Sequence, residues 1–249
     1  MTHPNTHEQL QARLLQKERE LALANECLAR FTNGMSHDLN APVRTLNNLL
    51  ALFNEDVARQ IDDEGVELLA MIMKSATRTQ NIVSRLLEYS RHSHPVTNHE
   101  SIDTRQIVMQ VLQQLQTVID QSGAKIRVAD LPKVHATPEA IHTLFQHLID
   151  NALTFTAARD KPPQISIYGH LTIDAVEYVV EDRGTGIDPK ESDSIFTVFK
   201  RLHARSAFDG AGLGLAICRQ IVNALDGDIW VSPGEPHGAA FHVLIPTAT

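Results

Sequence analysis

His37 is followed directly by Asp38, and Pro42 comes five residues later, in the run F-T-N-G-M-S-H-D-L-N-A-P-V-R-T-L. A neutral imidazole is a nucleophile. An adjoining carboxylate can take the proton from one ring nitrogen and leave the other free to attack phosphorus. Proline inside a helix removes a backbone hydrogen bond and favours a bend, which loosens the helix around the histidine and exposes its ring. The chain has thirteen histidines, and a lone one is ordinarily a surface residue, so the pair gains meaning only in company. Two glycine clusters supply it. In V-V-E-D-R-G-T-G-I-D, Gly184 and Gly186 permit unusual dihedrals and a close backbone approach. In G-A-G-L-G-L-A-I, Gly210, Gly212, Leu213 and Gly214 lead into an apolar helix, and the N–H groups at a helix amino end suit phosphate. Taken singly, the first cluster reads equally as a hairpin turn and the second as a chance match. A dinucleotide fold is disfavoured, because no βαβ unit with an acidic ribose ligand follows the second.

The elements that must hold these groups divide the chain in two. Residues 8–31 lack Gly and Pro and repeat Leu14, Leu21 and Leu28 every seven positions, with Leu10, Lys17, Ala24 and Phe31 on the other seam. That is a coiled-coil heptad with one polar interruption. A helical pattern continues through Met35, Leu39, Val43, Leu46, Leu50 and Phe53 and ends near Gln60. A second helix is expected from about Asp63 to Arg91, with Val66, Leu69, Met73, Ala76, Val83, Leu86 and Leu87 on its apolar face. Two helices joined by a short polar turn form an antiparallel hairpin. One hairpin makes a thin core, whereas two make a four-helix bundle, so a homodimer is expected. Beyond Pro95 the pattern is mixed. Helices are expected at about 103–121, 138–158 and 213–225, and strands at 126–128, 164–169, 175–181, 228–232 and 240–245. That mixture describes an α/β layered domain. The organisation expected is an N-terminal coiled-coil or signalling helix over 1–30, a hairpin domain over 31–91, a linker over 92–100 and an α/β domain over 101–249.

Composition narrows the function. The chain has 249 residues, 43% hydrophobic and 21% charged, with a formal net charge of −8. That charge opposes nucleic-acid binding, which calls for a basic face. Two distant cysteines, Cys27 and Cys218, fit a reduced, cytoplasmic setting. No run reaches the 18 or so apolar residues of a membrane span.

The run S-H-D-L-N-A-P resembles the H-box of sensor histidine kinases, especially the phytochrome-like group. Three further motifs follow in that family's order, and a fourth lies between the last two. F-Q-H-L-I-D-N-A-L-T-F-T resembles the N-box, D-R-G-T-G and G-A-G-L-G-L resemble its glycine boxes, and I-F-T-V-F-K-R-L-H resembles the F-box region. The resemblance covers roughly residues 30–246. It implies a fold of the α+β class: a helical hairpin forming a dimeric four-helix bundle, then an α/β sandwich ATP-binding domain of the histidine kinase, gyrase and Hsp90 type. It implies His37 as phosphoacceptor and Asp38 as its acid/base partner. Asn151 becomes the ligand for Mg2+ and Asp182 the acceptor for the adenine amino group of ATP. Gly184 and Gly186 lie at the base, and Gly210, Gly212, Leu213 and Gly214 at the phosphates. Residues from about 200 to 210 become a mobile lid, with Lys200, Arg201, His203 and Arg205 as candidate phosphate contacts, Arg201 foremost. Phe196 and Phe199 become packing anchors, and Trp230 a core residue. The implied reaction is autophosphorylation followed by transfer to an aspartate of a response regulator, with input from an upstream sensor domain or protein.

Four positions depart from the family pattern. Asn40 replaces an arginine, Ala41 a Thr or Asn associated with dephosphorylating the partner, His147 an asparagine, and Thr154 a phosphate-facing lysine. Three other readings carry less weight. The first is a degenerate, weakly ATP-binding scaffold or phosphorelay dimer of the same family. The second is a gyrase- or chaperone-type ATPase, for which His147 stands where Glu is usual. The third is a metal site on His92, His94 and His99.

Overall fold

The computed structural model describes residues 16–17, 42, 44–46, 48–51, 53, 62–91, 99–156, 162–200, 212–234 and 237–247. His37, Asp38, Arg201 and Gly210 lie outside the described residues, as do Asn40, Ala41, His92, His94, His203, Arg205 and, apart from Gln16 and Lys17, the N-terminal heptads. The chain forms two compact units, Met1–His94 and Pro95–Thr249.

In the first unit, the described residues between 42 and 53 are helical, Pro42 included. Helix α1 spans Asp63–Arg91. It starts where the Asp62 carboxylate accepts the Gly65 N–H at 2.9 Å. Asp63 and Glu64 lie at its positive end and Arg91 at its negative end, the favourable arrangement for the helix dipole. Leu69, Ala76 and Leu87 are buried. A second apolar set stays open: Leu68 is 58% exposed, Met71 68%, and Ile72, Val66, Leu46, Leu49 and Phe53 are exposed too. Leu68, Met71 and Ile72 fall at i, i+3 and i+4, which is one face of a helix.

The second unit contains two sheets. Strand β1 (Glu100–Ile102) pairs antiparallel with β3 (Val134–Ala136) in a small two-stranded sheet. The main sheet has the order β2-β4-β5-β7-β6, built from β2 (Lys125–Val128), β4 (Gln164–Leu171), β5 (Ala175–Asp182), β6 (Asp228–Pro233) and β7 (Ala239–Pro246). Only the β2–β4 pair is parallel. Helices α2 (Thr104–Gln114), α3 (Gln116–Ser122), α4 (Pro138–Thr156) and α5 (Gly214–Ala224) complete it. The single helix expected at 103–121 is broken at Leu115, where α2 ends and α3 begins.

Helix α4 begins at Thr137, whose hydroxyl accepts the Ala140 N–H at 3.3 Å, with Pro138 in the first turn. Its Ile141, Leu144, Phe145, Leu148, Ile149 and Ala152 are all buried, a repeat of three and four residues that presents one apolar stripe. On β5 the inward row is Val176, Tyr178, Val180 and Asp182, every second residue and each buried. The Phe145 and Tyr178 rings meet edge to face at 5.5 Å. Each large apolar side chain in this layer contributes about 1.5–3 kcal/mol by leaving water.

Tyr178 ties the small sheet's neighbourhood to this core. Its phenol donates to the Pro132 carbonyl at 2.6 Å and lies 2.8 Å from the Thr104 hydroxyl. Burial pushes the phenol from 10.0 up to about 12, against a smaller downward pull from the Thr104 hydrogen bond. The neutral ring therefore adds stability that is complete below pH 10 and disappears as pH rises through about 12. Replacing Tyr178 with Phe strands both partners and is expected to cost about 1–3 kcal/mol at neutral pH, read by denaturant unfolding.

The opposite sheet face carries a polar network. The His242 ring bonds Ser232 through Nε2 and Glu177 through Nδ1, both at 2.8 Å, and His170 Nε2 lies 3.2 Å from Glu177. Trp230 stacks on His242 at 5.0 Å. The expectation that Trp230 is a core residue is therefore corrected. It is half-buried on the face away from the helices, because strand parity pairs it with His242 and not with the inward Phe241.

Candidate functional site

Parity along β5 fixes the central acid. Because Val176, Tyr178 and Val180 point inward, so does Asp182, the last residue of the strand, which is 3% exposed. A buried carboxylate needs hydrogen bonds, and Asp182 Oδ1 accepts the Gly184 N–H at 2.7 Å. A Cβ at position 184 would stand 2.7 Å from that same oxygen and 2.9 Å from the Phe155 carbonyl. Only glycine therefore lets the loop lie between the strand end and the last turn of α4. Gly186 adopts φ +76°, and a side chain there would press on the Gly238 carbonyl at 3.1 Å.

Gly238, in the turn between β6 and β7, is a member of this site that the sequence analysis did not single out. Its φ is +117°, and a Cβ would collide with the Asp182 carbonyl and come within 2.9 Å of Arg183 Cα. The β6–β7 turn thus wraps the backbone beneath the buried acid, closed by a Gly234 N–H to Gly238 carbonyl bond at 3.1 Å. A Pro/Gly-rich turn with alternating flanks was the available signal; its long-range partner was not.

Asn151 is half-buried on α4, one turn before Phe155 and hence before the contact with Gly184. His147, Asn151 and Thr154 share a stripe at i, i+4 and i+7. His147 is 8% exposed. The Thr154 hydroxyl donates to the Asp150 carbonyl at 2.8 Å, so it serves the helix backbone at the position where the family pattern has a lysine.

The second glycine cluster lies at the start of α5. Gly212 has φ +67°, Leu213 is fully buried, and Gly214 is the first helical residue. Its N-cap residue, Leu213, makes no side-chain hydrogen bond to this amino end, and N–H groups so placed suit an anion. Helix α5 packs on α4, with the Cys218 thiol 3.8 Å from the Leu144 carbonyl. The two glycine clusters are therefore carried by adjoining elements of one core.

Between them, two short 3-10 turns, Pro189–Glu191 and Ser194–Phe196, lead to Phe199 and Lys200. Phe196 is buried, as a packing residue should be. Phe199 is 57% exposed and has φ +63°, which corrects its assignment as a packing anchor. Its N–H bonds the Gly212 carbonyl at 2.9 Å, so its backbone, not its ring, does the anchoring. Lys200 is paired with Glu191 at 3.2 Å.

A buried acid beside a glycine loop, a half-buried Asn on the adjoining helix and an uncapped helix amino end suit a purine nucleotide with its phosphates. Family comparison agrees. Residues 28–95 match the His Kinase A (phospho-acceptor) domain, and residues 136–249 match the histidine kinase-, DNA gyrase B-, and HSP90-like ATPase. The chain belongs to the sensor histidine kinases.

Among relatives of this chain, the phytochrome-like protein Cph1 of Synechocystis is 32% identical over 94% of the chain, which spans 31% of that relative. Cyanobacterial phytochrome A of Nostoc is 33% identical, again over 94% of the chain and 30% of the relative. The chain thus spans about a third of the length of these two relatives. Among solved structures, full-length ShkA in complex with AMPPNP aligns over 88% of the chain and 46% of its own, with a TM-score of 0.69 at 22% identity. That likeness speaks for the fold.

Proposed function

We propose that this chain is the phosphotransfer portion of a two-component histidine kinase, which uses Mg-ATP to phosphorylate His37 and passes the group to an aspartate of a response-regulator receiver domain. The observation that carries the reading is the buried Asp182 set against Gly184 and α4, in a chain whose other unit matches the phospho-acceptor domain over His37. A carboxylate at that place accepts from the 6-amino group of adenine and rejects guanine, which has no donor there. The uncapped amino end of α5 takes phosphate oxygens, and Lys200 and Arg201 add cationic contacts; Lys200 leaves Glu191 to do so.

In the transfer, one His37 ring nitrogen attacks the γ-phosphorus. The bond from that phosphorus to the β-phosphate bridging oxygen breaks, and ADP leaves with the electron pair. Asp38 takes the proton from the other ring nitrogen. Asn151 would hold Mg2+ through a neutral oxygen donor that adds no repulsion toward the triphosphate, and an ion bound there would supply neutralisation of phosphate charge. Catalysis is otherwise positioning.

The exposed apolar face of α1 and of the preceding helix supports a homodimer whose second copy covers it. The complex that the similar histidine kinase ThkA forms with response regulator protein TrrA supports a receiver-domain partner. That kinase aligns with a TM-score of 0.64 over 94% of this chain and 66% of its own, at 21% identity. Input comes from an upstream sensor domain or protein. Among the described residues no helix is long and apolar enough to cross a membrane.

Incubation with γ-labelled ATP and Mg2+ tests the reading. The protein is expected to gain a label that acid removes and base spares, that chelation abolishes, and that moves to an added receiver domain. Nucleotide binding without label is the outcome of a non-catalytic scaffold, a reading favoured only by the backbone-bound Thr154.

A further inference from the structure

Arg219 has no place in the motifs of the site, yet it ties α5 to Phe196 and to β6. It lies five residues into α5 from Gly214, about 7.5 Å along the axis. Its guanidinium carbon stands 4.4 Å from the centre of the Phe196 ring. One of its terminal nitrogens donates to the Ile229 carbonyl of β6 at 2.8 Å. Its Nε is buried without a hydrogen-bond partner, an arrangement that costs stability and calls for a reason. Methionine or leucine would fill the space beneath Phe196 without that cost.

We propose that Arg219 is a positioning residue for the phosphate end of the nucleotide: by holding Phe196 against α5 it sets the spacing between Lys200 and the uncapped amino end of that helix. The path is continuous. Phe196 ends the 3-10 turn. The Thr197 N–H bonds the Ser194 carbonyl at 3.0 Å, and the Lys200 N–H bonds the Thr197 carbonyl at 3.1 Å. The Phe199 N–H then returns to the Gly212 carbonyl, two residues before α5 starts. The ring of contacts runs from Arg219 through Phe196, Phe199 and Gly212 back to the helix. Opening it at Arg219 shifts the tie between this segment and the helix onto the Phe199–Gly212 bond, both of whose residues are at positive φ. Asp182, Gly184 and Phe155 belong to a different set of contacts, so recognition of the base does not pass through Arg219.

This inference rests on the nucleotide reading of the site, and the experiment separates the two. ADP and adenosine are titrated against the full chain, wild type and variant, by calorimetry or ligand-observed NMR. Arg219→Met is expected to weaken ADP about tenfold, within the range of a cation–π contact taken out of water, and to leave adenosine within about twofold. Arg219→Lys, which keeps a cation over the ring, is expected to recover ADP binding to within about threefold. In a Phe196→Leu background, Arg219→Met should add nothing further. Equal losses for ADP and adenosine would mean general destabilisation and would overturn the proposal. So would unchanged ADP binding, or full additivity with Phe196→Leu. A wild-type chain that binds neither ligand would overturn the nucleotide reading itself.

Discussion

Replacing His37 with alanine is expected to reduce acid-labile labelling from ATP to background, a loss of at least about a thousandfold, because no other group takes over a displaced covalent nucleophile. The same variant should bind ADP as the wild type does, since the nucleotide contacts lie on α4, β5 and α5 of the other unit. Asp38→Asn should retain a nucleophile and lose its proton acceptor. Labelling should then slow by about a hundredfold to ten-thousandfold, the range for removing a general base. The measurement is the initial rate of label incorporation at saturating Mg-ATP, with the acid and base stability of the product checked for each variant. Labelling of the alanine variant at the wild-type rate would place the phosphoacceptor elsewhere.

The second large effect is expected at the base. Asp182→Asn keeps an oxygen for the Gly184 N–H, now held at 2.7 Å, so the loop should survive. What changes is charge and polarity: a carboxylate that only accepts becomes an amide that also donates, facing a donor on adenine. A hydrogen bond involving a charged group is worth about 1.5–3 kcal/mol, and a mispaired one loses that amount or more. ADP affinity is therefore expected to fall about 10- to 100-fold, and preference for ADP over GDP to collapse with it. Titration with both diphosphates reads the two effects together, and a melting experiment without nucleotide checks that the fold is intact. An unchanged ADP affinity would remove Asp182 from the site and leave the glycine loop without a ligand.

Several features were readable because their causes are local. The alternation of Val176, Tyr178 and Val180 carries its parity to Asp182 whatever the rest of the chain does. The three-and-four spacing from Ile141 to Ala152 defines the stripe of α4, and with it the neighbouring stripe of His147, Asn151 and Thr154. On α1 the same periodicity marks Leu69, Ala76 and Leu87, which are buried, whereas Val66 of that set is exposed, as is the separate row Leu68, Met71 and Ile72.

Other features had no local cause to read. Strands β1 and β3 have three residues each, too few for a period, and exist through each other. The break at Leu115 interrupts a pattern that is uniformly helical in composition. Trp230 has strong strand propensity on either face, so only the pairing with His242 put it outside. The exposure of Phe199 and the pairing of Lys200 with Glu191 follow from how the segment after Phe196 returns to Gly212.

The amino-acid sequence by itself determined the chemistry on offer: an imidazole beside a carboxylate, an acid at a strand end, and glycines ahead of a helix. It also determined which side of α4 and of β5 would be buried, because burial there follows from periods of three to four and of two residues. The tertiary structure alone decided which distant groups meet. Gly238 lies beneath Asp182, Phe155 backs Gly184, and Arg219 reaches Phe196 because long-range contacts depend on how whole layers pack, and no short window of residues encodes that.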